Sequence, residues 1–199
     1  RQLGKTNINL TAIGFGGAPL GNLFESLDER SCYDILEKTY ETGINIYDTS
    51  PLYGYGLSEH RLGNFLKTLN RDQFILSTKV GRYMTPADPD KIDRLIFKST
   101  LDFSPNFDYS YDGVMRSIEF SLERLGVNRI DILYVHDLCI FTHGSKQKSD
   151  ERIEEFFGEK GYDAMLSLRE QNVVSAIGGG INEWEVCQTL AEKGDFDLF

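Results

Sequence analysis

The sequence predicts an α/β protein, specifically a (β/α)8 barrel. These 199 residues hold five complete strand–helix units of it and the start of a sixth. Two observations lead there. Runs of β-branched and aromatic residues alternate with segments of helical period, the pattern of a parallel sheet with helices packed on it. Polar residues able to do chemistry stand at or just past the ends of successive runs: Asp48 after Ile44–Tyr47, Lys79 after Phe74–Thr78, and His136 after Ile130–Val135, with Tyr53 in the loop that follows Asp48. A doubly wound sheet gathers its site at one switch point, whereas in a barrel every strand end opens onto the same rim. A whole barrel takes typically ~250 residues. Residues 1–199 therefore read as one domain, the N-terminal two-thirds of a barrel, cut within a strand at Asp197-Leu198-Phe199, with a true start upstream of Arg1.

Each element has its own warrant. Ile8–Leu10 is a short extended piece pairing with what precedes it, and Ala12–Phe15 is strand one, ending in Gly16-Gly17-Ala18-Pro19-Leu20-Gly21. Asp28 can cap a helix whose apolar face is Cys32, Ile35, Leu36, Thr39 and Tyr40, closed by Gly43. Strand two is Ile44–Tyr47, and Ser58–Leu69 is helical through Leu62, Phe65, Leu66 and Leu69. Strand three is Phe74–Lys79. Residues 82–110 read as a long irregular insertion rich in Asp, Pro and aromatics, of a length usual for functional lids. Tyr111–Leu125 is a helix with Met115, Ile118, Leu122 and Leu125 inward and Gly126 at its end. Strand four, Ile130–His136, leads into a loop over 137–158 and a helix over 162–171. Strand five, Val173–Ile177, precedes Gly178-Gly179-Gly180. A helix over Asn182–Lys193 buries Val186, Leu190 and Ala191, and a sixth strand begins at Phe196.

Composition limits the function. The chain is 40% hydrophobic and 26% charged, with a net charge of -10. That balance argues against nucleic-acid backbones and anionic membranes as partners, though not against a small anion in a local basic pocket. No apolar run approaches the ~18 residues of a membrane span. Cys32, Cys139 and Cys187 are odd in number and widely spaced, matching neither a disulfide framework nor a zinc site, so they read as reduced thiols in a cytoplasmic setting.

The four strand-end residues suit proton transfer coupled to hydride transfer. Moving a hydride to or from a carbonyl carbon needs a group that gives or takes a proton at the oxygen. A free phenol, with a pKa of about 10, is a poor base at neutral pH, and a neighbouring ammonium favours its phenolate. Tyr53 is the acid/base in this reading, Lys79 its partner, Asp48 the carboxylate that holds Lys79, and His136 the group that orients the substrate oxygen or shares in the relay. Taken singly, each has an ordinary alternative as turn, surface or packing residue. Their arrangement together carries the functional reading.

Asp48-Thr49-Ser50-x-x-Tyr53-Gly54 followed by Ser58-Glu59-x-x-Leu62-Gly63 resembles the signature of the aldo-keto reductases, and Thr78-Lys79 with Ile132-Leu133-Tyr134-Val135-His136 matches that family's other two catalytic positions. Gly14–Leu23, Phe107–Ser110, Phe141–Gly144 and Asn182–Glu185 are similar to the branch holding L-fucose and D-threo-aldose 1-dehydrogenases and pyridoxal 4-dehydrogenases. The resemblance implies a TIM barrel, an NADP or NAD cofactor and no metal. It also implies a small carbonyl, aldose or pyridoxal-type substrate, the cyclic hemiacetals being oxidised to lactones. It places cofactor-phosphate contacts in the last third of the barrel. A general aldehyde or ketone reductase, or an idle barrel serving as a binding subunit, are the alternatives.

Weaker features remain. Residues 16–21 match neither a dinucleotide fingerprint nor a P-loop, because Pro19 takes a glycine position and Asn22-Leu23 follows. They read as a tight strand-end turn, with Gly17 near the cofactor as a lesser possibility. The glycine triplet would let backbone approach a flat ligand. Asn182 is the candidate for the nicotinamide carboxamide, although Asn182-x-x-Glu185 is equally a capping box. His60 and His143 read as surface or loop residues, and Tyr83, Tyr109, Tyr111 and Phe141 as candidate pocket walls.

Overall fold

The computed structural model describes residues 1–199. Five strands form one parallel sheet in the order β1 (Phe15–Gly16), β2 (Ile46–Asp48), β3 (Ile75–Val80), β6 (Ile132–His136) and β7 (Ala176–Gly180). Leu198 adds a parallel bridge to Gly178, the beginning of a further stave. Helices α1 (Glu29–Glu41), α2 (Leu57–Leu66), α3 (Tyr111–Leu125), α6 (Gly161–Glu170) and α7 (Trp184–Lys193) alternate with the strands. The architecture is the expected α/β barrel arrangement. No helix is long and apolar enough to cross a membrane.

The two-residue period of the strands sorts the side chains. Tyr47, Leu76, Val80, Leu133, Val135 and Ile177 join the core against the helices, where Leu36, Leu62, Phe65, Ile118, Leu125, Met165 and Leu190 meet them. The alternate positions face inward. At the lower end Ile132 and Ala176 pack with Ile8, Ile46, Ile75 and Tyr134, so the N-terminal hairpin, bridged at Gln2 and Asn9, supplies an apolar floor. At the upper end the same inward rows continue as Asp48, as Ser77 and Lys79, and as His136. The register pairs Asp48 with Ser77, Lys79 with Tyr134 and His136 with Gly180. Strand pairing therefore fixes the height of each polar residue.

Several boundaries differ from the sequence reading, each for a local reason. Strand one covers Phe15–Gly16 rather than starting at Ala12, because the Thr11 N–H is taken by Asn45 Oδ1 at 2.9 Å. Strand two likewise begins two residues late, at Ile46. Strand five is displaced toward the C-terminus. Val173 and Val174 both donate to the Leu168 carbonyl to close α6, and pairing with β6 starts at Ala176. The glycine triplet is consequently inside β7, where a Cβ on Gly178 would lie 2.5 Å from the Leu198 carbonyl oxygen.

The insertion over 82–110 is not irregular throughout. It holds an antiparallel ribbon of β4 (Arg82–Pro86) and β5 (Phe103–Phe107), in register from Arg82 opposite Phe107 to Pro86 opposite Phe103. Pro86 and Pro105 suppress the strand signal, and a two-stranded ribbon is all edge, where proline is tolerated. The expected loop over 137–158 contains α4 (Ile140–His143) and α5 (Lys146–Gly158). Ser145 caps α5 through the Lys148 N–H, and only Ser149, Ile153 and Phe156 of α5 are buried, so its apolar period is faint.

The Ser58-Glu59-x-x-Leu62-Gly63 motif is structural here. Ser58 Oγ donates to the Gly17 carbonyl at 2.7 Å and lies 2.8 Å from Thr49 Oγ1. Glu59 accepts from Thr78 Oγ1 at 2.8 Å and Arg124 Nε at 2.6 Å, joining α2, α3 and β3. Gly63 lets α2 approach α3 closely, since a Cβ there would meet the Leu125 carbonyl oxygen at 2.3 Å.

Candidate active site

The four strand-end residues converge on one cavity of about 310 Å³ at the upper rim. Its walls are Asp48, Tyr53, Lys79, Tyr134, His136 and Asp137, continuing through Gly179–Asn182 to Phe199. Lys79 is its centre. Its Nζ donates to Asp48 Oδ2 at 2.6 Å and to the Thr49 carbonyl at 2.8 Å, and it lies 4.8 Å from the centre of the Tyr53 ring. Ser77 Oγ donates to the other Asp48 oxygen at 2.7 Å, so the carboxylate is aimed at Lys79 from two sides. The Tyr53 hydroxyl makes no hydrogen bond within the chain, and the His136 ring stands edge-on to the Tyr53 ring with centroids 6.1 Å apart.

The electrostatics follow from burial and neighbours. Burial of Lys79 opposes its charge, but the Asp48 carboxylate, the neighbouring Tyr53 phenol and the hydrogen bond to Asp48 outweigh it, and its pKa lies above the ordinary value. His136 is held well below its ordinary 6.5 by burial, then by the Arg82 and Lys79 charges, so its ring is neutral. Two phenols line the cavity. Burial, and then the Asp48 carboxylate, push that of Tyr134 above its ordinary value, which makes it a poor base. Tyr53 is only half-buried and faces the ammonium.

Other expected site residues fall in different places. Asn182 lies on the cavity edge, exposed, with its amide unbonded within the chain. It does not form the capping box. Helix α7 starts at Trp184 after Glu183, whose carboxylate instead accepts the N–H groups of Ile140 and Phe141, both at 2.9 Å. Gly17 is buried beside the site rather than on the cavity wall. Its N–H donates to the Asp48 carbonyl at 2.7 Å, and a Cβ would lie 2.7 Å from that oxygen. Tyr109 is fully buried and donates from its hydroxyl to the His136 carbonyl at 2.9 Å, with His143 Nε2 3.4 Å away. Tyr111 and Phe141 are exposed, and His60 lies on the surface. Tyr83 lines a different cavity.

That second cavity is larger, about 500 Å³, and lies on the outer flank between α2, α3 and the β4–β5 ribbon. It contains none of the four rim residues. Its cations are already engaged, Arg124 by Glu59 and Arg116 over the ring of Tyr83 in the same wall at 4.8 Å. Size alone does not select a site, and the convergent polar groups make the smaller rim cavity the candidate site.

Sequence reasoning missed Arg82 and Asp137. Arg82 Nη2 donates to Asp137 Oδ2 at 2.8 Å in a buried pair beside His136. The available signal was a charge directly after His136 and another three residues after Lys79, both candidates already.

Comparison with known proteins shows the family. The sequence profile of the Aldo/keto reductase family matches residues 12–198. The pyridoxal 4-dehydrogenase of Microbacterium luteolum is 38% identical over 206 aligned positions, covering 99% of this chain and 59% of that protein. The D-threo-aldose 1-dehydrogenase of a Pseudomonas species is 36% identical, covering 95% of this chain and 55% of that protein. Among solved structures, the holo form of aldo-keto reductase AKR11C1 from Bacillus halodurans superposes with a TM-score of 0.73 at 26% identity, covering 98% of this chain and 54% of that one. The chain thus spans a little over half the length of these relatives. With a family profile matched along almost all of its length, and with relatives above 30% identity, the chain belongs to the aldo/keto reductase family.

Proposed function

We propose that the whole protein is an NAD(P)-dependent oxidoreductase that oxidises a cyclic hemiacetal, an aldose or pyridoxal, to the lactone. The observation that carries this reading is the Asp48–Lys79–Tyr53–His136 cluster around one cavity. The choice of hemiacetal is supported by the two dehydrogenases to which the chain is similar over nearly all its length.

Oxidation of a hemiacetal removes a hydride from the anomeric-type carbon and a proton from its hydroxyl, leaving a carbonyl. Tyr53, as phenolate, takes the proton at the substrate oxygen. Lys79 places a fixed positive charge beside that ring, and Asp48 with Ser77 keeps the ammonium in position. Neutral His136 is a hydrogen-bonding group for the same oxygen. In the reverse direction Tyr53 returns the proton. A nicotinamide cofactor, when bound, supplies the hydride acceptor or donor. The cavity suits such a ring. Gly179 and Gly180 leave one wall without side chains, where a Cβ on Gly180 would press on Lys79 Cε at 3.3 Å, and the free Asn182 amide can pair with a carboxamide. Cys32, Cys139 and Cys187 are unpaired thiols, which suits a reducing compartment, and the cytoplasm is the proposed location.

The test is to follow absorbance at the reduced-nicotinamide band while the whole protein is offered L-fucose, D-arabinose or pyridoxal with NAD or NADP. Reduced cofactor should accumulate with at least one pair. Fast reduction of simple aldehydes without oxidation of any of these substrates would replace this reading with a general carbonyl reductase. Inactivity in both directions would favour a barrel used for binding alone.

A further inference from the structure

Two stitches join the loop after β6 to the loop after β7, one on each side of Asn182. Close to the strands, the Asp137 N–H donates to the Gly180 carbonyl at 3.2 Å. Farther out, one Glu183 carboxylate oxygen accepts the Ile140 N–H and the other accepts the Phe141 N–H, both at 2.9 Å. Ile181 and Asn182 lie between these anchors and make no hydrogen bond within the chain. We propose that Glu183 is a positioning residue: by clasping the first turn of α4 it fixes the loop after β7, so that the Asn182 amide is already in place at the cavity edge for a nicotinamide carboxamide.

The clasp is well made. Each oxygen takes one N–H, and hydrogen bonds to an ionised acceptor are stronger than neutral ones. Glu183 stands at the N-cap of α7, yet its side chain does not cap that helix. It reaches instead to a segment 42 and 43 residues away. The stretch it holds has few other restraints. Gly179 and Gly180, which lead into it, carry no side chain, and glycine loses more freedom on ordering than any other residue. Asn182 is exposed, borders the rim cavity and has its amide free. A loop already ordered before its ligand arrives does not lose that freedom on binding. The loss amounts to roughly a factor of ten in affinity for each backbone residue that must be fixed. With both oxygens occupied inside the chain, Glu183 acts through Asn182 rather than on the ligand. The role given to Asn182 rests on the oxidoreductase reading above. The clasp itself does not.

The experiment is a double-mutant cycle in the whole protein, read by calorimetric titration with NAD and with NADP. Amide hydrogen exchange at Ile140 and Phe141 is measured on the same samples. The variants are Glu183→Ala, Asn182→Ala and the two combined. Glu183→Gln, of the same shape and with one acceptor oxygen left, carries the test should the alanine variant fail to fold. Exchange at Ile140 and Phe141 should quicken in Glu183→Ala and less so in Glu183→Gln. The cofactor Kd should rise about tenfold in Glu183→Ala, and by less in Glu183→Gln. Once Asn182 is alanine, removing Glu183 should change Kd by no more than about twofold, the scatter of independent sites. An unchanged Kd in Glu183→Ala with faster exchange would overturn the proposal. So would an equal loss with and without Asn182, which would make the clasp a matter of structure alone. A wild-type protein that bound neither NAD nor NADP would remove the oxidoreductase reading, and the role of Glu183 with it.

Discussion

Arg124 reaches the Glu59 carboxylate at 2.6 Å across the seam between α2 and α3, and none of the Glu59 side chain is exposed. Thr78 on β3 completes the grip from below. One carboxylate thereby ties two helices to the strand that carries Lys79. Glu59→Ala would leave the Arg124 guanidinium without its partner. It should cost about 3–5 kcal/mol, as removal of one member of a buried pair does. The midpoint of urea unfolding measures it, and a loss under about 1 kcal/mol would show that the pair is dispensable.

The same seam makes Gly63 sensitive to a single methyl group. Its Cβ would lie 2.3 Å from the Leu125 carbonyl oxygen, and backbone cannot step aside as a side chain can. Gly63→Ala gains helix propensity yet should destabilise by roughly 1–3 kcal/mol through overpacking. Thermal unfolding that rose with this substitution would mean that α2 and α3 can separate freely.

At the rim, Tyr53→Phe removes the hydroxyl that the proposed reaction uses while keeping the ring over Lys79. Turnover should fall by roughly 10²–10⁴, the share that acid–base catalysis supplies, with cofactor affinity by fluorescence titration nearly unchanged. Unaltered turnover would reject Tyr53 as the proton carrier.

Lys79→Met tests the charge beside Tyr53. It leaves Asp48 with the Ser77 hydroxyl as its remaining side-chain partner, and Asp48 is exposed enough for water to replace the ammonium. The protein should stay folded by circular dichroism while kcat at neutral pH drops. Equal loss of folding and of activity would assign Lys79 to the core instead.

Stability should fall on the acid side for a reason shared by His136 and His143. Burial is the leading cause that lowers each below 6.5, followed by Arg82 and Lys79 at His136 and by Arg152 at His143. In the unfolded chain they take up protons near pH 6.5, and in the folded chain they do so only at lower pH. The unfolded state therefore binds more protons in that interval, and lowering the pH favours it. Urea midpoints should be insensitive to these groups above pH 6.5 and decline below it, and His136→Asn should flatten the decline. Lys79, with its raised pKa, works at the other end. Its stabilisation is complete below about pH 10.5 and fades as the pH climbs through the higher folded value.

The convergence of the rim residues was readable because strand period and strand end act together: a run such as Ile132–His136 says both where the strand stops and which way its last residue faces. What escaped reading had competing local signals. Pro86 and Pro105 masked the β4–β5 ribbon, and the polar surface of α5 hid its spacing of Ser149, Ile153 and Phe156. Gly178 and Gly179 looked like the start of a loop because the bodies that crowd them most, Leu198, Phe199 and Leu190, come later in the chain. Asn182-x-x-Glu185 had the letters of a cap, but Glu183 was committed to α4, a contact between segments 42 and 43 residues apart that no local pattern contains.

The order β1-β2-β3-β6-β7 has a consequence for how the molecule is made. Within this sheet every strand lies next to the one that left the ribosome before it, so the sheet can lengthen at its growing edge with nothing to be displaced or threaded. The Asp48–Lys79 pair can close when β3 docks, well before His136 has been translated. The growing edge is left bare between additions, and synthesis would be most vulnerable to strand-mediated association during the long pause between β3 and β6. The β4–β5 ribbon, which pairs only with itself, fills that interval.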